Sequence, residues 1–66
     1  MGDGRLEWMR DIRPGELYRR IGKQEVIRIE GVDWNDQIAY IHPLGSPIMS
    51  EMRLQRLYEY YEGYKA

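Results

Sequence analysis

One run constrains this chain more than any other: residues 24–32, Gln-Glu-Val-Ile-Arg-Ile-Glu-Gly-Val. Val26, Ile27 and Ile29 are β-branched, and Arg28 and Glu30 alternate with the apolar positions. Such side chains lose rotamer freedom in a helix and fit a pleated surface, so the run reads as a strand with one apolar face. A strand cannot bury that face alone. Gly22-Lys23 precedes the run and Asp33-Trp34-Asn35-Asp36 follows it. Turn signals this close on both sides return the chain antiparallel to itself.

The flanking segments fit that frame. Residues 16–21 read as a first strand, with Leu17, Arg19 and Ile21 on one face and Tyr18 and Arg20 on the other. Gly22-Lys23 is expected to form a two-residue hairpin turn, because glycine accepts the positive φ that primed turns need. Gly31 marks a bulge or bend near the end of the central strand. Residues 37–42 form a third strand, Ala39 and Ile41 facing away from Ile38, Tyr40 and His42. Two prolines and a glycine make residues 43–47 a loop, and Ile48-Met49 can add a short edge strand.

The ends of the chain are less determined. Leu54, Leu57, Tyr58 and Tyr61 fall at i, i+3, i+4 and i+7, one face of a helix over residues 50–63. Ser50 would cap it, Glu51 would meet the macrodipole, and Gly63 would end it. A competing form makes residues 52–57 one helical turn and residues 58–61 a last strand; the longer helix is preferred. Residues 1–13 read either as a short helix carrying Leu6, Met9 and Ile12 or as a loose N-terminal arm, with Pro14-Gly15 ending it.

The expectation is one domain over residues 1–66, of class α+β: a small curled antiparallel sheet of three to four strands with a C-terminal helix. Its core would be Leu17, Ile21, Ile27, Ile29, Ala39, Ile41, Leu44, Leu54 and Leu57. A chain of 66 residues without cysteine has a small core and no disulfide to reinforce it. Self-association is the physically motivated remedy, and a homo-oligomer is expected.

Pro14-Gly15-Glu16-Leu17-Tyr18-Arg19, then Gly22-Lys23, the β-branched run, a polar turn and a second run, resembles the opening of small SH3-like barrel proteins. Many of those are carried by bacterial mobile elements: phages, plasmids and integrons. The resemblance spans residues 14–49. It implies an SH3-like fold and a mobile-element origin, and it carries over no functional residue. The helical pattern near the C-terminus departs from it, because a plain SH3-like barrel has its last strand there.

Composition excludes several functions. Without cysteine there is no thiolate metal site, and a cytoplasmic location is expected. Lys and Arg number 10 against 11 Asp and Glu, so no polybasic tail exists. No apolar run approaches the roughly 20 residues of a membrane span, and residues 1–10 lack the apolar stretch of a signal peptide. His42 is the single histidine, between Ile41 and Pro43, and reads as a strand-end residue bonded to backbone or solvent. A calcium loop starting at Asp33 would need Gly at its sixth position and Glu at its twelfth, where Ile38 and Leu44 stand. No glycine-rich phosphate loop is present. Plasmid-borne dihydrofolate reductases build an active site by assembling small SH3-like barrels, but their Val-Gln-Ile-Tyr motif is absent here. No catalytic residue, cofactor or metal is expected.

The remaining signal is aromatic. Tyr58, Tyr60, Tyr61 and Tyr64 cannot all face one small core, so part of this set, with Trp34, is expected at a protein interface, with the chain itself or a foreign partner. The alternative is a nucleic-acid surface made by Arg19, Arg20, Lys23 and Arg28 with Tyr18. Glu16, Glu25 and Glu30 share that hairpin and cancel much of its field.

Overall fold

The β-branched run becomes the central strand. The structure, a computed structural model, describes residues 10–65. Its elements are β1 (Leu17–Arg20), β2 (Val26–Asp33), β3 (Ile38–Pro43), β4 (Ser50–Arg53), α1 (Leu54–Tyr60) and β5 (Tyr61–Tyr64). All pairings are antiparallel, and the sheet order is β4-β3-β2-β1-β5. Strands β1 to β4 are a meander. The chain then passes through α1 to the opposite edge, where β5 pairs with β1 in the register Leu17↔Tyr64 and Arg20↔Tyr61.

The period of two along β2 and β3 decides what is buried. Ile29 lies opposite Ile41, and Val32 opposite Ala39, on the inner face. Arg28 opposite His42 lies on the outer one. The register slips between Ile29 and Gly31, leaving Glu30 as the extra residue of a bulge where Gly31 stands. Leu54 and Leu57 from α1, Tyr61 from β5 and Ile12 from the N-terminal segment close the core over Ile27, Ile29, Ala39 and Ile41.

Several expectations are corrected. The sheet has five strands rather than three to four. The C-terminal helix is seven residues long, not residues 50–63. Ser50 and Glu51 pair with Ile41 and Tyr40 as strand residues, so Ser50 caps nothing; Arg53 precedes the helix, without a side-chain cap. Gly63 is a strand residue opposite Tyr18. The physical reason is that the Ala39–Met52 and Arg19–Glu62 pairings satisfy sheet edges that a longer helix would leave open. The edge strand expected at Ile48-Met49 starts at Ser50 instead.

The first hairpin turn is wider than two residues. Lys23 N–H donates to the Arg20 carbonyl (3.0 Å), and Gly22 alone takes positive φ, +78°. That places Ile21 inside the turn, where it is 54 % exposed rather than in the core. Leu44, past the end of β3, is 50 % exposed, and Leu17 is half-buried on the outer face. Residues 10–13 are not helical, and Ile12 is buried. Residues 1–9, with Leu6 and Met9, lie outside the described residues.

Candidate interaction surface

The tyrosines divide into three groups. Tyr61 is 7 % exposed and belongs to the core. Tyr58 is half-buried against that core; its hydroxyl donates to the Arg10 carbonyl, and the Arg10 guanidinium lies 4.9 Å from its ring centroid. Tyr60 and Tyr64 face outward. Tyr60 is 48 % exposed, with the Arg56 guanidinium 5.3 Å from its centroid. Tyr64 is half-buried beside Leu17 on the outer face, with Arg19 at 5.9 Å. Trp34 is partly buried against the core, in the turn where Asp36 N–H donates to the Asp33 carboxylate (3.0 Å). The aromatic set is therefore distributed around the molecule and is not one helix face.

Tyr60 has an apolar neighbour that the sequence did not offer. Ile21 N–H donates to the Tyr60 carbonyl (2.8 Å), so the turn after β1 and the end of α1 are fastened together. Both side chains stand about half in water at this junction. Alternation along β1 turns Tyr18 and Arg20 inward, opposite Ile27 and Tyr61, and leaves Ile21 on the outer face with Leu17 and Arg19, the reverse of what the apolar types at 17 and 21 suggested. Leu44, Ile48 and Met49 are further large apolar side chains at least half exposed.

The hairpin cations are largely taken up within the fold. Arg19 reaches Glu62 across β1 and β5 (2.8 Å), Arg20 reaches Glu25 (3.5 Å), and Arg28 reaches Glu30 (2.7 Å). Lys23 lies exposed in the turn, without an ion pair among the described residues. Tyr18 is half-buried on the inner face and donates to Glu16 (3.0 Å), whose same oxygen accepts the Arg13 N–H (3.0 Å). Burial, that hydrogen bond and the Glu16 charge push the Tyr18 phenol up to about 12.

His42 uses Nε2 toward the Ser46 carbonyl, while Nδ1 lies 3.8 Å from the Glu30 carboxylate. It is a loop-tethering residue between β3 and residues 43–47. Among the described residues no group of three His, Cys, Asp or Glu converges to hold a metal ion. An open groove of about 790 Å³ runs past Glu16, Leu17, Tyr18, Gly63 and Tyr64, walled by the β1–β5 pair. No helix among the described residues is long and apolar enough to cross a membrane. Comparisons with protein-family models, curated proteins and solved structures return no significant match to the chain.

Proposed function

We propose that this protein is a non-enzymatic protein-binding module on an SH3-like frame, with Tyr60 and Ile21 as its apolar anchors. The frame is supported by the strand order β4-β3-β2-β1-β5 and by the short helix between β4 and β5. The binding reading is carried by one observation: Ile21 and Tyr60, joined by a backbone hydrogen bond, stand 54 % and 48 % exposed side by side in the chain trace. Full burial of such a side chain is worth about 1.5–3 kcal/mol, and a partner covering the exposed half of each would recover roughly half of that. Arg56 beside the Tyr60 ring adds a cation to the anchor, so a partner bearing an apolar side chain next to a carboxylate fits best.

The test is a photo-cross-linking amino acid at position 60, with one at the exposed Lys23 as control, in the native host. A discrete adduct at 60 that Ile21→Ser abolishes supports the reading. Equal adducts at both positions, or none at 60, removes it. The nucleic-acid alternative has less support, because carboxylates occupy Arg19, Arg20 and Arg28.

A further inference from the structure

Strand β4 closes one side of the sheet, and its backbone pattern fixes which groups it leaves outside. Leu54 N–H donates to the Gln37 carbonyl (2.9 Å), continuing the β3–β4 register in which Ala39 faces Met52 and Ile41 faces Ser50. Antiparallel pairing alternates hydrogen-bonded and non-hydrogen-bonded residues. Leu54, Met52 and Ser50 therefore turn their backbone groups toward β3. The N–H and C=O groups of Glu51 and Arg53 point the other way, out of the sheet. Among the described residues no further strand pairs with that edge.

The side chains of the same two residues are also unspent. Both are exposed on the outer face, opposite Tyr40 and Ile38. Arg19, Arg20, Arg28, Glu25, Glu30 and Glu62 all form ion pairs within the fold. Glu51 and Arg53 form none with a described residue. Exposed edges are commonly guarded by charged side chains, lysine above all, and a row of like charges repels a second copy. A Glu and an Arg two residues apart do the opposite: run antiparallel against itself, the segment is its own complement.

We propose that β4 is a self-pairing edge through which a second copy of this chain docks about a two-fold axis at Met52. Glu51 of each copy then faces Arg53 of the other. The register agrees with the backbone pattern, because Glu51 and Arg53 are the residues whose N–H and C=O groups are free to exchange hydrogen bonds. Met52 meets Met52 at the centre as the non-hydrogen-bonded pair, where side chains approach closest. In the same register Ile48 and Met49, 70 % and 55 % exposed, run toward the start of α1 in the second copy and lose water there. The contact is isologous and closes as a dimer. It stands apart from the Tyr60–Ile21 reading, and either can fail alone.

The test is a charge reversal and its repair, read as solution mass by light scattering from micromolar to millimolar concentration. The unaltered chain is expected to dimerise. Arg53→Glu or Glu51→Arg places like charges opposite each other twice per dimer, and should weaken it at least about tenfold. The double exchange Glu51→Arg with Arg53→Glu restores complementarity and should restore the dimer, which also shows that the single variants fail at the contact and not in folding. Amide hydrogen exchange supplies the second readout: the Glu51 and Arg53 N–H groups should be protected in the dimer and exposed in the variants. A monomer at every concentration, single variants that dimerise unchanged, an exchange variant that stays monomeric, or a dimer with unprotected Glu51 and Arg53 amides would each overturn the proposal.

Discussion

The Tyr58 hydroxyl donates to the main-chain carbonyl of Arg10, 48 positions earlier, while the Arg10 guanidinium lies over the Tyr58 ring. This double contact fastens the segment that delivers Ile12 into the core, where it is 4 % exposed. Tyr58→Phe keeps the ring and removes the donor, so it should cost about 1 kcal/mol and lower Tm by roughly 4–8 °C in a domain this small. Ile12→Ala should cost about 2–4 kcal/mol, through lost burial and a cavity. Thermal unfolding followed by circular dichroism orders the two.

Adjacent tyrosines should behave oppositely. Tyr61 fills the core and Tyr60 stands in water. Tyr61→Ala is expected to cost about 3–5 kcal/mol, enough to unfold most molecules of a marginal domain. Tyr60→Ala should change stability by less than about 0.5 kcal/mol. Urea midpoints of the two variants decide it, and similar midpoints would contradict the division of roles.

Tyr18 should make stability fall in strong alkali. Its phenol, ordinarily near 10, is raised to about 12, chiefly by burial, then by its hydrogen bond to Glu16 and the Glu16 charge. The folded state holds the proton more tightly than the unfolded state. Its contribution is therefore complete below pH 10 and is lost as pH rises through about 12. Tyr18→Phe should flatten that part of the stability–pH curve. Ultraviolet titration of phenolate formation should show a late phase that shrinks by one tyrosine in the variant.

Two glycines separate conformational need from habit. Gly22 holds φ +78° in the turn after β1, and Gly22→Ala should cost about 1–2 kcal/mol in backbone strain. Gly63 has no positive φ, and a Cβ there would meet nothing within 4 Å. Gly63→Ala should be neutral to slightly stabilising, since alanine loses less backbone entropy in folding. Chemical denaturation of both variants checks the contrast.

The inner faces of β2 and β3 were legible in the sequence because they follow from a local rule: side chains alternate, and Ile27, Ile29, Ala39 and Ile41 sit at alternating positions between turn signals. The bulge at Gly31 was legible for a similar reason. The C-terminal third was not. Leu54 and Leu57 lie three apart in a single turn as well as in a long helix, and the tyrosines after them suit a strand as readily. Ser50, Glu51 and Gly63 looked like helix ends because their types suit caps, although their backbone groups serve the sheet. Of the aromatic site, the sequence showed that the tyrosines exceeded what one core could hold. The stripe of Leu54, Leu57, Tyr58 and Tyr61 left Tyr60 off the buried face, as the structure has it, but Tyr61 was also counted with the interface, where it does not belong.

The residues alone determined the central antiparallel sheet, the side of β2 and β3 that is buried, and the absence of cysteine chemistry, because periodicity and composition act within a few residues. Tertiary structure alone decided that residues 61–64 return to pair with β1, that Tyr64 comes to lie beside Leu17, and that Ile21 comes to rest beside Tyr60. Those outcomes depend on contacts about forty residues apart, such as Arg19 with Glu62 and Ile21 with Tyr60. Such pairings are chosen by which sheet edges need partners and which apolar faces remain to be covered, conditions that exist only once the chain has folded.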